Sequence, residues 1–557
     1  MSVFRAPKTG RLRAAAITSG LALTIVIPTG AASAVPGYTT GVAEYVRLES
    51  GVAGTVEALI NSGESPFGVT FEGIPDGIGV VPGKGDEEGD GQGADNRNDD
   101  GNDDANGNGK GKGGYVDLYV THEQSHVPFG TTATNVFADY QDSSVTRLRV
   151  DVASRSITQM AVPLSPNLGF IRFCSAFMAG PDEGFPNYTF LVNEESNDVV
   201  PVLPGAPYGS DRSAGSGTRQ AGYSAYLDTR TGVVAVLAGA GRHNHENQVV
   251  VPGWQSGIVS LSGDDTFTTT SSPTRPNLSQ LYMYSAADAS QFLADQGTLW
   301  AFRVTGTQAG PVNPADPQNN ANDFFEIGVG NTFTGEFIPV PPDVARGTTN
   351  NLPQDALEDW SNANNAFQFI RIEDIAYDPD QPRVVYFTDT GNTRLLEAPN
   401  GQLYRAPAGT PGTSSSLGRV FKMVMNAADP TKVDAFSVLT EASTLGMRNP
   451  DNVAVGHDSL MVQEDVNNAK IWQYSLASGT WRHIASATQT EAETSGIVDV
   501  SDWFGPGWWA LDVQSHINQK MDSGFLTWTG GPPPPGGNQY RLRREDGQLL
   551  LMHIANS

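Results

Sequence analysis

Acidic side chains recur in small clusters along this 557-residue sequence, and each cluster adjoins a short apolar run. Neighbouring carboxylates repel one another, and burying them without compensation is costly. A bound cation removes that cost, and carboxylate oxygens are the ligands that Ca²⁺, Mg²⁺ and Mn²⁺ prefer. One such cluster alone is more typical of a solvated turn, but their recurrence predicts a shared multi-metal centre. The candidate ligands are Glu123, Glu194, Glu195, Glu246, Asp264, Asp265, Glu373, Asp374, Asp451 and Glu464.

The segment RHNHEN places two histidines beside one of these acids. If the segment is a strand, His243 and His245 lie on the same face, because strand side chains alternate. That arrangement is compatible with zinc, but the third and fourth ligands at the usual spacing are missing. We therefore expect Glu246 to be the metal ligand and the histidines to support it or to pack.

Cys174 is the only cysteine, so the chain forms no internal disulfide. Most free cysteines are small buried core residues, and that interpretation stands here beside a metal-binding one. The motifs G-x-S-x-G and G-x-x-x-x-G-K-[ST] are absent from the sequence. The expected chemistry therefore uses neither a hydrolase serine motif nor a phosphate-binding loop.

The elements that must position these side chains resemble short strands. Apolar runs such as TFLVNEES, RVVYFTDTG and SLMVQED are rich in β-branched and aromatic residues. Few windows show the period of an amphipathic helix. Many short strands between Gly, Asn, Asp and Pro favour a sandwich, barrel or propeller. Strands that end in acids favour the propeller, since its blades deliver strand ends to one mouth of a central channel. The predicted fold class is all-β.

The chain divides into four parts. Residues 1–34 have a basic start, an apolar stretch and small residues before Val35, which predicts a signal peptide. Residues 35–529 hold the propeller, with a Gly/Asp-rich insertion at 84–114 that we expect to be disordered or a weak calcium loop. Residues 530–537 form a Pro/Gly-rich loop. Residues 538–557 read as a closing strand or hairpin.

The formal charge of −27 excludes nucleic acid and anionic lipid as expected partners, because both reward basic surfaces. It suits a protein that binds cations, and equally a soluble exported protein. No segment after the leader is apolar enough for a membrane span. We expect a secreted or periplasmic monomer that acts on a small molecule.

Taken in order, several segments resemble the motifs of the PhoX family of secreted bacterial alkaline phosphatases. They are THE, FCSA, NEES, GRHNHE, GDDTF, IRIEDIAYDP, NPDNVAV and LMVQEDVN. The likeness runs from about Tyr115 to Asn468, and the ordered set is more specific than any single motif. The sequence departs from the family pattern at Thr121, where the family has Asn, and at Ile372, where it has Pro. The leader also lacks the family's twin-arginine pair.

This resemblance implies an irregular six-bladed β-propeller with loop insertions that hydrolyses phosphomonoesters at a centre of Ca²⁺ and Fe³⁺. It assigns Cys174 as an iron ligand and Arg371 as the group that binds the phosphate. The implied metal ligands are Glu123, Glu195, Glu246, Asp265, Glu373 and Asp451, with Glu194, Asp264, Asp374 and Glu464 as alternates.

Two other functions stay open at this point. A calcium-dependent propeller hydrolase, either a lactonase or a phytase, would use the central carboxylates and would need no role for Cys174. A non-catalytic propeller would bind a ligand or another protein through the same surface.

Overall fold

Antiparallel strands make up most of the described chain, as the composition of the apolar runs predicted. The computed structural model describes residues 37–83, 114–123, 127–128, 143–197, 199–201, 218–255, 257–266, 279–307, 310–311, 324–349, 352–398, 402–521, 526–527, 539–540 and 542–555. The predicted signal peptide and the 530–537 loop lie outside the described residues, as does the 84–114 insertion apart from Gly114.

The strands are short and follow one another closely. The first eighteen are β1 (Val46–Leu48), β2 (Gly54–Asn61), β3 (Pro75–Pro82), β4 (Tyr115–His122), β5 (Val127–Pro128), β6 (Ser144–Asp151), β7 (Ser156–Leu164), β8 (Phe173–Ala179), β9 (Thr189–Glu194), β10 (Val199–Pro201), β11 (Thr218–Gln220), β12 (Ser224–Asp228), β13 (Val234–Val236), β14 (Val249–Val250), β15 (Ile258–Gly263), β16 (Leu281–Ala286), β17 (Thr298–Thr307) and β18 (Gly310–Pro311). The others are β19 (Thr332–Pro339), β20 (Ile372–Asp378), β21 (Gln381–Asp389), β22 (Thr393–Glu397), β23 (Leu403–Arg405), β24 (Ser414–Ser415), β25 (Arg419–Met425), β26 (Lys432–Glu441), β27 (Pro450–Val455), β28 (Ser459–Glu464), β29 (Lys470–Ser475), β30 (Trp481–Ala487), β31 (Ala492–Asp499), β32 (Trp508–Met521), β33 (Leu526–Thr527), β34 (Gln539–Tyr540) and β35 (Leu542–Ile554).

Helices contribute little to the described chain. They are α1 (Ala289–Leu293), α2 (Pro342–Ala345), α3 (Pro353–Ala363), α4 (Ala442–Leu445) and α5 (Ser501–Phe504), with 3₁₀ turns at Pro66–Gly68, Pro166–Leu168, Pro181–Glu183 and Ala238–Ala240. Among the described residues, no helix has the length and apolar character needed to cross a membrane.

The main strands form six blades around a channel. In order from the channel outward, the blades are β3-β4-β6-β7, β8-β9-β12-β13, β14-β15-β16-β17, β20-β21-β25-β26, β27-β28-β29-β30 and β31-β32-β35-β2. The blades also contact in a closed cycle: β3 packs on β8, β8 on β14, β15 on β20, β20 on β27, β27 on β31, and β31 on β3. Strand β19 joins the outer strands of the third and fourth blades, which makes the ring irregular. The described residues therefore confirm the predicted β-propeller, and their sheets number six blades.

Strands from both ends of the described chain close the ring. Strand β1 adds to the fifth blade by pairing with β30, with Val46 opposite Ala487. In the sixth blade β35 lies between β2 and β32, and it pairs with both along most of its length. Because early and late strands share two blades, the ends of the sheet ring are held by backbone hydrogen bonds.

Several second strands are covered on both faces, because a neighbouring blade packs on each side of the blade that contains them. Strands β9, β15 and β28 are buried along their whole length. A strand buried on both faces reads as a continuous apolar run in the sequence. This explains why runs such as TFLVNE and SLMVQE were visible in the sequence.

Six phenylalanines form an aromatic core between the third and fourth blades. The ring of Phe436 lies 5.2 Å from those of Phe302 and Phe367, 5.6 Å from Phe421, 5.8 Å from Phe369 and 6.2 Å from Phe387. Replacing Phe436 with alanine is expected to lower the free energy of unfolding by about 3–5 kcal/mol, since it removes buried ring surface and leaves a cavity. The measurement is equilibrium denaturation in urea.

The matched control is Phe325→Ala, because Phe325 is 38 % exposed. This control is expected to change the free energy of unfolding by less than about 1 kcal/mol. Equal losses in the two variants would contradict the packing described for Phe436.

Candidate metal centre

Four first strands begin after a residue with left-handed backbone. Their φ angles are 46° at Ile74, 45° at Arg172, 61° at Arg371 and 47° at Asn449, directly before β3, β8, β20 and β27. Non-glycine residues adopt this conformation at an energetic cost, and strained residues of this kind cluster at functional sites. Each of these strands also shows a register shift at its start, between Pro75 and Ile78 in β3 for example. A bulge of this kind re-aims the side chains beside it.

Two residues after each left-handed position stands a group that can bind a metal. These groups are Asp76, Cys174, Glu373 and Asp451, while Glu246 precedes β14 and Glu493 is the second residue of β31. We call these six residues the first-strand set. All six line one cavity of about 250 Å³. Each blade thus contributes one potential ligand from the start of its innermost strand.

The ends of the second strands supply a further set. Glu123 follows β4, Glu195 follows β9, Asp265 lies two residues after β15, and Asp465 follows β28. We call these four residues the second-strand set, and they line the same cavity, together with Glu545 of β35. Among the described residues the cavity gathers ten carboxylates and one thiol against two arginines.

The closest contacts in the cavity centre on Cys174 and Glu246. The Cys174 Sγ atom lies 3.5 Å from Asp76 Oδ2 and 3.9 Å from Glu123 Oε1. Ligand atoms of Asp76, Cys174 and Glu246 lie within 4.8 Å of one another, and those of Glu246, Glu373 and Asp451 do so as well. Glu246 is therefore common to both groups of potential ligands.

Burial and mutual repulsion destabilise these groups as anions. Burial raises the pKa of Glu246 well above its ordinary value, and the negative charges of Glu195 and Asp76 raise it further. The pKa of Cys174 is raised well above its ordinary value by burial and then by Asp76. Glu246 Oε1 and Asp451 Oδ1 are buried and accept no hydrogen bond within the described residues.

Metal cations fit this donor set. Orphaned carboxylate oxygens that converge within coordination range suit hard cations such as Ca²⁺. The buried thiol adds one soft ligand, which suits a transition metal. A bound cation would also offset the repulsion that raises these pKa values.

Two arginines counter part of the negative charge. Arg371 donates from Nε to Asp265 Oδ1 and from Nη2 to Asp265 Oδ2, both at 2.8 Å. Its Nη2 also lies 3.4 Å from Glu373 Oε1. Arg172 Nη1 lies 3.8 Å from Glu195 Oε1. The bidentate pair with Asp265 fixes the plane of the Arg371 guanidinium group.

A buried hydrogen-bond network holds Asp76 and the strands beside it in place. Gln514 Nε2 donates to Asp76 Oδ2 at 2.8 Å and to Glu123 Oε1 at 3.2 Å. Ser495 donates to Asp76 and lies 3.1 Å from Asn452 Oδ1. Asn452 Nδ2 donates to Ser175 Oγ at 2.6 Å. The network links the first, second, fifth and sixth blades, so it fixes the spacing of ligands that come from different sheets.

The structure does not bring four of the predicted ligands to the cavity. Glu194 accepts hydrogen bonds from Arg219 Nη1 at 2.8 Å and Ile171 N at 3.0 Å. Asp264 accepts from Thr266 N at 3.0 Å, and Asp374 accepts from Val453 N at 3.0 Å. Glu464 accepts from Trp472 Nε1 at 2.9 Å.

Each of these four residues is one member of an acidic pair, and adjacent side chains of extended backbone point to opposite faces. Only the other member, Glu195, Asp265, Glu373 or Asp465, lines the cavity.

The two histidines pack behind the cavity, as the sequence suggested. The rings of His243 and His245 lie 3.5 Å apart and are buried. His245 Nδ1 lies 2.8 Å from Ser262 Oγ. Burial lowers the pKa of His245 to about 3, so the ring is neutral. Neither histidine lines the cavity.

Sequence reasoning missed Asp76 and Glu493, and in the acidic pair Glu464–Asp465 it chose Glu464, which does not line the cavity. The signal for Asp76 was present, because IPDGI at 74–78 shares with NPDNV at 449–453 the Pro-Asp pair and a β-branched residue two positions later. Gly77 is required within it, since a Cβ atom there would lie 2.2 Å from Ala176 N of the next blade. Most of the apolar runs that end in acidic residues are second strands. The shorter Pro-Asp pattern at the start of the first strands was not recognised as a repeat.

Metal-free protein is expected to lose stability as the pH rises from about 5 to 8. Burial raises the pKa of Asp76 to about 6 and that of Asp374 to about 8. The unfolded chain releases these protons at about pH 4, so the folded state binds more protons in between and rising pH favours unfolding. Asp76 alone accounts for about 3 kcal/mol, since one pH unit corresponds to about 1.4 kcal/mol per group.

The measurement for this prediction is the urea midpoint of metal-free protein across that pH range. Bound cations would keep the ligand carboxylates ionised throughout, so metal-loaded protein serves as the control and should lose less. A midpoint of the metal-free protein that rises towards pH 8 would contradict the burial of these carboxyl groups.

The fold and cavity define a class: a six-bladed β-propeller with one acid-rich, thiol-containing cavity at the start of its first strands. The family described as "Alkaline phosphatase PhoX" matches residues 214–500, which is more than half of the chain. The chain belongs to this family, which confirms the resemblance seen in its motifs. It is accordingly a phosphatase, a phosphoric ester hydrolase of a metal-dependent family.

One solved structure supports the fold. The chain is similar to Pseudomonas fluorescens PhoX in complex with vanadate, a transition state analogue, at 14 % identity and a TM-score of 0.54, over 94 % of this chain and 97 % of that chain. The β-propeller domain of Myceliophteria thermophila Cps50 (Swd1) gives 7 % identity and a TM-score of 0.30, over 77 % and 92 % of the two chains. Saccharomyces cerevisiae Sqt1 gives 8 % identity and a TM-score of 0.25, over 80 % and 92 %. None of the curated proteins compared with this chain matches it.

Proposed function

We propose that this chain is a secreted phosphomonoesterase whose substrate binds at a centre of Ca²⁺ and Fe³⁺ in the cavity. The observation that carries the proposal is the convergence of one potential ligand from each of the six blades on a single cavity. Residues 1–34 are the proposed signal peptide, in keeping with a family that is typically secreted. The expected monomer, with no nucleic-acid partner, remains a prediction.

Cys174 and Glu246 are the proposed centre of the ligand set. The Cys174 thiolate would hold iron, since it is the soft ligand of the cavity. Glu246 would bridge the two ligand groups, with Asp76 on one side and Glu373 and Asp451 on the other. The second-strand acids would complete the coordination of calcium through oxygen. The cations, when bound, supply Lewis acidity and neutralise phosphate charge.

The protein's own part in the reaction is to bind and orient the phosphate. A cavity with ten carboxylates repels a phosphate dianion, so substrate binding depends on the cations and the arginines. Asp265 holds Arg371 by Nε and Nη2. No hydrogen bond of Arg371 Nη1 is found within the described residues. Nη1 is therefore the atom we assign to a phosphate oxygen, where it would stabilise charge on the transferring group.

The role of Cys174 separates this proposal from its alternatives. A lactonase, a calcium-dependent phytase or a silent binding propeller needs no thiol in the site. In this chain the buried thiol lies between Asp76 and Glu123 in the cavity itself. The family match supports the phosphatase as well.

The test is hydrolysis of p-nitrophenyl phosphate at alkaline pH, with metal analysis of the same purified protein. We expect the protein to contain calcium and iron and to lose more than about 100-fold in activity after chelation, with recovery only when both metals are returned. The Cys174→Ala variant should lose iron and activity together. Full activity in stripped protein, or in a variant without iron, would refute the proposed centre.

A further inference from the structure

The channel holds a second cavity further along the same first strands. It has a volume of about 240 Å³, and residues of all six first-strand regions line it, each later in the chain than the metal-binding position of its blade. Ile78 follows Asp76, for example, and Ile497 follows Glu493. Its lining shares no residue with that of the metal cavity. We call it the second channel cavity.

Its walls are apolar and partly aromatic. Phe177 and Tyr377 form an edge-to-face pair with ring centroids 6.3 Å apart, and both rings are half-buried at the cavity. Val249 and Val453 are buried and line it too. An apolar cavity of roughly 150 Å³ is enough to hold benzene. The second channel cavity therefore has room for a phenyl ring with a short side chain.

One buried carboxyl group gives this cavity a polar anchor. Asp374 Oδ1 accepts hydrogen bonds from Ile375 N at 2.7 Å and from Asn247 Nδ2. Asp374 Oδ2 accepts one from Val453 N at 3.0 Å. A carboxylate has about four acceptor positions, so one remains on Oδ2. Asp374 is 8 % exposed and lines this cavity, not the metal cavity.

The charge of the lining selects the kind of ligand. Asp374 and Asp499 line the cavity, and no Lys, Arg or His does so among the described residues. An anionic head group would meet two acidic side chains without a compensating cation. A head group that donates hydrogen bonds would satisfy the remaining acceptor position of Asp374.

We propose that the second channel cavity binds a small molecule with an aromatic or apolar body and a hydrogen-bond-donating amine or alcohol head. The head contacts Asp374, and the body packs against Phe177 and Tyr377. This ligand class is distinct from the phosphoester substrate, and the site does not depend on the proposed phosphatase mechanism.

The test is an NMR titration of the metal-loaded protein at pH 9, where Asp374 is ionised, with four probes of similar size. They are 2-phenylethylamine, 2-phenylethanol, methyl 2-phenylethyl ether and 3-phenylpropanoate. The amine and the alcohol are expected to bind at least about tenfold more tightly than the ether and the carboxylate, which is the value of roughly one charge-assisted hydrogen bond. Equal affinities for all four probes, or no binding by any, would overturn the proposal.

Two measurements locate the binding. Saturating inorganic phosphate should leave the affinity for the amine unchanged, because phosphate belongs in the metal cavity; displacement by phosphate would overturn the proposal. The Ala376→Phe variant, which fills the second channel cavity, should abolish amine binding. Val455→Trp at the same cavity is the second filling variant, in case the first does not fold.

The matched control for the filling variants is Ala477→Phe, because Ala477 is exposed and lines a different surface pocket. This control should bind the amine as the parent protein does. Amine binding that persists in both filling variants would show that the probe binds elsewhere.

Discussion

The Glu246→Gln variant is expected to lose phosphatase activity by more than about 100-fold and to lose bound metal. Glu246 is the residue common to both groups of converging ligand atoms, and its Oε1 is buried without a hydrogen bond. Glutamine keeps the size of the side chain but replaces one charged ligand oxygen with a donor that repels a cation. Even residues that only support a ligand typically change metal affinity or activity by 10–100-fold, on the order of 1–3 kcal/mol.

The measurement combines kcat/KM for p-nitrophenyl phosphate with metal content per chain. The matched control is Glu464→Gln, because Glu464 is equally buried, but it ends strand β28 and hydrogen-bonds Trp472 away from the cavity. We expect this control to keep its metals and most of its activity. A Glu246→Gln variant with full metal content and parental activity would refute the assignment of Glu246 as the shared ligand.

The Arg371→Ala variant is expected to lower kcat by about 100- to 1,000-fold while the protein keeps its metals. Arg371 is oriented by its bidentate pair with Asp265, and removal of one preorganised donor to developing negative charge costs about this much. Arg371→Lys retains the charge, but an ammonium group cannot reproduce the fork. It should therefore recover only part of the loss.

Metal content separates a catalytic role from collapse of the site. A merely structural arginine would lose metal and activity in parallel, whereas we expect unchanged metal and a loss in kcat. The control is Arg303→Ala, since Arg303 pairs with Glu336 at 2.6 Å and does not line the cavity. Parental kcat in Arg371→Ala would remove Arg371 from the proposed chemistry.

Much of the fold and part of the site were accessible from the sequence. The second strands are buried on both faces, so they stand out as apolar runs, and the acids that follow them were recognised as candidate ligands. The fold and the family were predicted correctly, since the strand runs and the ordered motifs agreed with each other. The first-strand set was only partly found. Its repeat is a residue with left-handed backbone, one further residue and then the ligand, and a backbone angle is not visible in the amino-acid sequence.

The choice within each acidic pair could not be read from the residues alone. The sequence offers Glu194 beside Glu195 and Asp264 beside Asp265 as chemical equals. The phase of each strand decides which carboxylate enters the cavity, and a shift of one residue reverses the choice. The bulges at the starts of the first strands alter that phase locally, and nothing in the amino-acid types marks where they occur.

The sequence by itself determined which strands this chain forms and predicted that its clustered acids bind cations, because apolar pattern and like-charge repulsion are properties of neighbouring residues. The tertiary structure alone decided which acids meet. Asp76 and Asp451 are hundreds of positions apart in the chain, and only closure of the six-bladed ring brings their carboxylates to the same cavity. The second channel cavity has the same origin, since it exists only between strands that the ring holds together.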